Sequence, residues 1–324
     1  MRYLGHRILQ SVFLLFGVSL LSFAFVELAP GSFFDEIRLN PQISSETLAS
    51  LQRQYGMEQT LPIRYFRWLS SAAKGEFGFS FAYNSPVAPL LWSRAGNTLL
   101  LTVSATLLAW LVALPLGILS AEKRRGWIDR FGGLLASVLL ATPDLLLALG
   151  VLLFALRTHW LPVGGMLSME EAVGPNEWEN LRSIGFHLLG PVVVLVLVSL
   201  PTLTRHIRAA MSEALDSPYI HAARAHGISR WRIVLGHALP VAANPLISLF
   251  GLSLGSLLSA SLLTEVVMSW PGLGPLLLEA ILGRDLYVVI GIVMCASLFV
   301  VCGTLIGDLL LFAADPRIRA ERLP

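Results

Sequence analysis

Apolar residues in this chain gather into long uninterrupted runs instead of recurring at the spacing of a soluble core. A run of about 20 such residues crosses roughly 30 Å of hydrocarbon as a helix. Six qualify: Ile8 to Leu28, Thr98 to Ala121, Phe131 to Leu156, Phe186 to Thr204, Val241 to Leu263 and Leu286 to Ala314. The pattern predicts an all-α membrane protein with six transmembrane helices. Arg2 and Arg7 before the first run resemble a signal-peptide flank, but the run exceeds a 7–15-residue signal core. Glu27-Leu28-Ala29-Pro30 is also a poor small-residue cleavage site, so the run is read as a span.

Six spans place both termini on one side, and basic residues decide which. Segments 1–7, 122–130, 205–240 and 315–324 hold 14 Lys and Arg in 62 residues, against 9 in 120 for 29–97, 157–185 and 264–285. Positive loops stay inside, so both termini are expected to be cytoplasmic, with the short cluster Lys123-Arg124-Arg125 carrying most weight. Residues 1–28 are then the N-terminus and first helix, 29–97 an extracytoplasmic segment, and 98–324 a five-helix core with a polar inner loop at 205–240.

The outer segment has order of its own. Ser44-Ser45-Glu46 opens a short amphipathic helix, Thr47 to Tyr55, stopped at Gly56, and Pro62 stands at the first helical position of Ile63 to Ala73. From Gly75 to Tyr83, aromatic and small residues alternate, which predicts extended backbone. A small ordered extracytoplasmic cap follows from these signals.

Composition narrows the chemistry. Of 324 residues 55% are hydrophobic and 14% charged, against about 25% charged in soluble domains, and the net charge of +2 indicates neither a nucleic-acid groove nor an acidic tail. Lys74 and Lys123 are the two lysines, and neither follows a glycine, so the chain has no Gly-Lys pair on which to build a P-loop. Cys295 and Cys302 lie seven apart in one apolar run, about 10.5 Å along a helix and too far for a disulfide.

The inner loop is polar and basic yet patterned as helix. Ser217 is placed to cap, Pro218 to open and Gly227 to stop a short helix. Ser229 then caps a second, Arg230 to Leu239, ending at Pro240. On the first, Tyr219, Ala222, Ala223 and His226 share a face by spacing, and the two alanines leave a shallow surface on which a partner can close. Tyr219 and Arg224 add an aromatic contact and a fixed charge. The apolar face is too small for strong lipid binding, which favours docking to a protein over resting on headgroups.

His221-Ala222-Ala223-Arg224-Ala225-His226-Gly227, then nine residues, then His237-Ala238-Leu239-Pro240, resembles the EAA loop of ABC-importer permeases. Its general pattern is Glu-Ala-Ala, three residues, Gly, nine residues, Ile, any residue, Leu-Pro. His221 replaces the Glu and His237 the Ile, as is common in the dipeptide/oligopeptide/nickel branch. Motifs along nearly the whole chain resemble that branch: Ala29-Pro30-Gly31, Pro62 to Leu69, Asn97-Thr98-Leu99, Leu114 to Gly117, Trp270 to Gly274, Arg284-Asp285 and Asp315 to Arg319. It departs at Ser32-Phe33, where Asp-Pro is usual, and at Ala141 to Asp144, where Ser or Pro precedes a large aromatic.

The resemblance implies a prokaryotic inner-membrane permease subunit, paired with a homologous second permease. Two cytoplasmic ATP-binding subunits, which hold the ATP and magnesium, would dock below, and an extracytoplasmic solute-binding protein would deliver di- or oligopeptides or similar small solutes. No cofactor is expected in this chain. In such permeases the helix matching Pro218 to His226 couples to the ATPase, which assigns that contact to Ser217, Pro218, Tyr219, Ala222, Ala223, Arg224, Ala225, Gly227 and Pro240.

Other polar positions admit two readings each. Asp144, after Pro143, either faces a substrate pathway or caps a break in its helix. Trp270, Pro271, Gly272 and Gly274 form either an outer gate or an interface anchor. Gly251-Leu-Ser253-Leu-Gly255 matches a hydrolase nucleophile pattern but lies in an apolar helix, where a packing stripe fits better; Gly303 to Gly307 reads the same way. An ion-coupled secondary transporter or channel would call for several midplane charges, and Asp144 alone fits.

Overall fold

A computed structural model of the protein describes residues 2–28, 59–166 and 177–314. Hydrocarbon offers no partner to a bare amide or carbonyl, so each apolar run must satisfy its own backbone, and the helix is the local solution. The elements are α1 (Arg2–Leu28), α2 (Leu61–Ala72), β1 (Phe79–Ser80), β2 (Ser85–Pro86), α3 (Val87–Glu122), α4 (Trp127–Ala141) and α5 (Asp144–Thr158). They continue with α6 (Glu177–Leu215), α7 (Pro218–Ala225), α8 (Arg230–Ile233), α9 (Leu239–Val267), α10 (Leu273–Leu282) and α11 (Leu286–Ala314). Helix Thr47 to Tyr55, Ala29-Pro30-Gly31, Ser32-Phe33 and Asp315 to Arg319 lie outside the described residues.

Five stretches are each long and apolar enough to cross a membrane: Gly5–Val26, Val87–Glu122, Trp178–Leu215, Arg230–Val267 and Leu286–Ala314. The sixth candidate is a bent pair, which counts as a crossing only where its two helices form one span. The run Phe131 to Leu156 is split into α4 and α5, bent by 103°. Thr142, pushed out of helical backbone by Pro143, is extended at φ −94° and ψ 121°. Two helices of 15 residues, each about 22 Å long, still reach about 28 Å end to end at that bend. Trp127 and Trp160, 78% and 74% exposed, mark the two ends as interfacial aromatics do.

The chain groups into two compact units, Met1–Thr98 with Pro271–Leu298 and Leu99–Trp270 with Phe299–Pro324. In the first, Phe23 of α1, Tyr65 and Trp68 of α2 and Ile290 of α11 form a small buried cluster. Tyr65 meets Phe23 edge-on at 5.5 Å, its hydroxyl shares a 2.9 Å hydrogen bond with Ser19, and Trp68 donates to the Phe77 carbonyl. The extended stretch is a minimal hairpin, Phe79 opposite Pro86 and Ser80 opposite Ser85. Fully buried Asp285 holds it, its Oδ2 accepting from Ser80 Oγ at 2.6 Å and from the Ala82 amide at 3.1 Å. At the hairpin tip Tyr83 donates to Glu279 of α10. Burial, then this carboxylate, pushes the Tyr83 phenol up from 10.0 to about 12.

In the second unit α6 is central, with α4, α5 and α9 packed on it. The two glycine stripes meet. A Cβ on Gly251 of α9 would stand 2.7 Å from the Gly307 Cα and 3.2 Å from the Gly303 carbonyl of α11, so those backbones are in direct contact. Ser253 lies buried in this stripe, donating to the Phe250 carbonyl and accepting from the Trp110 indole. Both sides of its hydroxyl are thereby engaged in packing.

The segment Arg230 to Leu239 does not stop at Pro240. It widens into a π turn over Val234–Ala238, with the Leu239 amide bonding the Val234 carbonyl five residues back, and runs on as α9. A proline in an ordinary turn would collide with the carbonyl four residues earlier; the wider turn relieves this, so the helix passes through Pro240.

Gly251→Val, which drives a branched side chain into backbone, is expected to destabilise the protein by about 1–3 kcal/mol, read as a lowered unfolding midpoint in detergent. The Tyr83 phenol favours the neutral form when folded, so its contribution is complete below pH 10.0 and lost as pH rises towards about 12. Tyr83→Phe should remove one late-ionising tyrosine from the alkaline absorbance titration.

Candidate functional site

Segment 205–240 folds onto the second unit through α7. Ser217 occupies the N-cap position, where its carbonyl accepts from the Ile220 and His221 amides, and Pro218 follows as the first helical residue. The Ser217 hydroxyl does not cap α7. It turns back to the Ala214 carbonyl at 2.6 Å, closing the end of α6 instead. Gly227 stops α7 with φ +76°, and the Ile228 amide reaches back to the Ala223 carbonyl. A Cβ at 227 would meet open space, so the glycine answers a backbone demand and not a steric one.

The faces of α7 are divided by packing. Ile220 is fully buried and Ala223 is 8% exposed, both in the cluster that holds Ile207, Met211, Ala214, Leu215, Ile233 and Ala238. His221, Ala222, Arg224, Ala225 and His226 are exposed. The two central alanines therefore part company: Ala222 faces outward and Ala223 faces its own chain. Tyr219 is 41% exposed, yet its hydroxyl donates to the His237 carbonyl at 2.8 Å, tying α7 to the π turn.

Ion pairs fasten the surrounding segments. Arg208 of α6 grips Asp129 of α4 through Nε at 2.6 Å and Nη2 at 2.9 Å, and the Arg125 amide donates to the same carboxylate. Arg124 reaches Asp216 at 2.8 Å and the Ser212 carbonyl at 2.7 Å. Arg230 of α8 pairs with Glu122, the last residue of α3. Single exposed pairs contribute little, but these tie the ends of α3, α4 and α6 to the segments that flank α7. Reading the loop alone misses Ile220, the pairing of Asp216, and the acids Asp129 and Glu122 outside it. Ile220 was visible as an i, i+3 partner of Ala223, whereas the acids are paired across distant parts of the chain.

The remaining candidates lie elsewhere. Asp144 is in the first turn of α5, exposed, where a carboxylate complements the helix dipole. Trp270 is fully buried in the core of the second unit and its amide bonds the Glu265 carbonyl, which does not suit an interface anchor. Pro271 accepts from Asn97 Nδ2 at 2.8 Å, and Leu273 donates to Thr98 Oγ1 at 2.9 Å. Gly272 is the N-cap of α10 and Gly274 is buried within it. Among the described residues no His, Cys, Asp and Glu cluster is arranged to hold a metal ion.

The family described as "Binding-protein-dependent transport system inner membrane component" matches residues 113–320. The oligopeptide transport system permease protein AppB of Bacillus subtilis (strain 168) is 32% identical over 318 residues, 98% of each chain. The probable D,D-dipeptide transport system permease protein DdpB of Escherichia coli (strain K12) is 36% identical over 318 residues, 93% of each. The glutathione transport system permease protein GsiC of the same strain is 32% identical over 324 residues, covering 98% of this chain and 99% of that one. Among solved structures, a chain of the MetNI methionine ABC transporter in its inward-facing conformations shares the fold. Its TM-score is 0.56 at 21% identity, over 70% of this chain and 96% of that one. With its membrane-spanning helices and this match over most of its length, the chain belongs to the binding-protein-dependent inner-membrane components, the permease subunits of ABC importers.

Proposed function

We propose that this permease admits di- and oligopeptides or similar small solutes, and that α7 is the element through which partner ATPases drive it. The substrate class rests on relatives named for oligopeptides, D,D-dipeptides and glutathione. The chain pairs with a homologous second permease, two ATP-binding subunits seat against the exposed side of α7, and an extracytoplasmic binding protein supplies the solute. ATP and magnesium are held by the ATP-binding subunits. Both termini are cytoplasmic, as the 14 basic residues in the inner segments indicate.

One observation carries the coupling role: α7 is anchored by Ile220 and Ala223 while Ala222, Arg224 and Ala225 stay free for a partner. A short rod held this way transmits displacement and does not absorb it. When the ATPases close, α7 moves with them, and the pairs Arg208 with Asp129, Arg124 with Asp216 and Arg230 with Glu122 pass the motion to α6, α4 and α3. Rigid-body rotation of packed helices is the expected response, opening the pathway alternately to each side.

In a background lacking Cys295 and Cys302, Ala222→Cys is expected to cross-link to the co-expressed ATPase in a nucleotide-dependent way, and Ala223→Cys to fail. A cross-link from neither, with the ATPase folded and present, would remove α7 as the coupling element. At Gly227, φ +76° demands left-handed backbone, which costs an ordinary residue about 1–2 kcal/mol and asparagine less. Uptake should therefore fall in the order Gly, Asn, Ala, Val at this position, while membrane insertion is unchanged.

A further inference from the structure

Near the start of α4 lies an apolar cavity of about 290 Å³ within the second unit, bounded by α3, α4 and α6. Its walls are almost wholly apolar and it opens at the protein surface, so in a bilayer an apolar occupant fits it better than water. Its outer wall is Trp127 and Phe131, stacked at 5.6 Å and 14° and exposed at 78% and 54%. One polar atom inside is unusual. Ser199, Thr142 and Thr158 each donate to the carbonyl four residues back, as hydroxyls in helices do. Thr204, 9% exposed and lining the cavity, has a buried hydroxyl with no hydrogen-bond partner.

The charge beside the cavity is uneven. Arg124 and Arg208 are committed to Asp216 and Asp129, whereas Lys123, Arg125 and Arg130 are exposed and their side chains have no ion pair among the described residues. All three lie within four residues of Trp127, at the end of α4 where its aromatic wall begins.

We propose that this cavity is a binding site for one anionic phospholipid. Its acyl chain lies between α3, α4 and α6, and its phosphate diester is held by Lys123, Arg125 and Arg130. Thr204 Oγ1 donates to an ester carbonyl, the acceptor that a glycerolipid brings just below its headgroup and that a hydrocarbon lacks. Basic clusters at helix ends on a membrane face attract anionic headgroups, and the aromatic pair sits where rings favour the interface. Because α4 is joined to α6 through Asp129 and Arg208, an acyl chain in this cavity would brace the same helices that α7 is proposed to move. The inference itself rests on the chain spanning a bilayer and not on the coupling role.

The test uses the full permease purified with its partner subunits, delipidated in detergent and titrated with phosphatidylglycerol or phosphatidylcholine of identical acyl chains. Lipid retained on this chain is read by native mass spectrometry. One phosphatidylglycerol is expected to bind in preference to phosphatidylcholine. The combined variant Lys123→Gln, Arg125→Gln, Arg130→Gln should weaken it by about a hundredfold and erase the preference, as losing three surface basic contacts implies. Gly132→Leu, which fills the cavity, should lose both lipids with an unchanged unfolding midpoint. Equal binding of the two lipids to the native protein, or retention of phosphatidylglycerol by Gly132→Leu, would overturn the proposal. So would a Gly132→Leu complex that sheds the second permease but keeps its lipid, since the cavity would then be a subunit groove.

Discussion

A backbone in hydrocarbon has no water to bond, and this demand governs how the chain passes Pro143 and Pro240. Pro143 cannot donate an amide, and the carbonyls this leaves are taken by the Thr142 amide on Leu139 and the Thr142 hydroxyl on Val138. Pro240 poses the same difficulty and is accommodated differently, by a π turn that lets α8 run on into α9. One proline thus makes a bend of 103° and the other a near-continuous helix. The first ends a helix because the residue before it is extended; the second is absorbed because the turn before it widens.

That continuity matters to the inner loop. Since the chain after Gly227 enters α9 through a helix and not a flexible connection, α7 is attached at one end to the close of α6 and at the other to α8. Buried Ile220, the bidentate Arg208 and the Tyr219 hydroxyl then remove much of the remaining freedom. The stiffness is a sum of one buried apolar contact and modest polar contacts at partly wet sites, and it depends on their being shared among several helices.

The first unit solves a different problem, holding irregular backbone in place with few residues. A two-residue strand pair is far too short to stand alone. Asp285 supplies what the strands cannot, taking Ser80 and the Ala82 amide on one buried oxygen, and Asn97 and Thr98 do the same for the chain at Pro271 and Leu273. Asp285, Asn97, Thr98, Pro271 and Leu273 are among the positions that resemble the permease family in sequence, and the structure shows a hydrogen-bonding task for each.

Much of this was legible in the chain itself. Five of the six spans, the start of α2 beside Pro62, the extended pair Phe79–Ser80 and the limits of α7 at Ser217 and Gly227 are local matters, set by run length and by what proline and glycine permit in their own backbone. The glycine stripe was legible for the same reason, since small residues four apart on a helix make a close-packing face wherever they lie. What the sequence left open was decided at long range. Ala222 and Ala223 have the same helix propensity and size, and only packing around Ile220 sends one outward and the other in. The use of the Ser217 hydroxyl on α6, the partners of Arg124, Arg208 and Arg230, and the burial of Trp270 depend on segments far apart in the chain coming together. Tertiary structure alone could decide them, because burial and charge pairing are properties of neighbours in space, which no local pattern specifies.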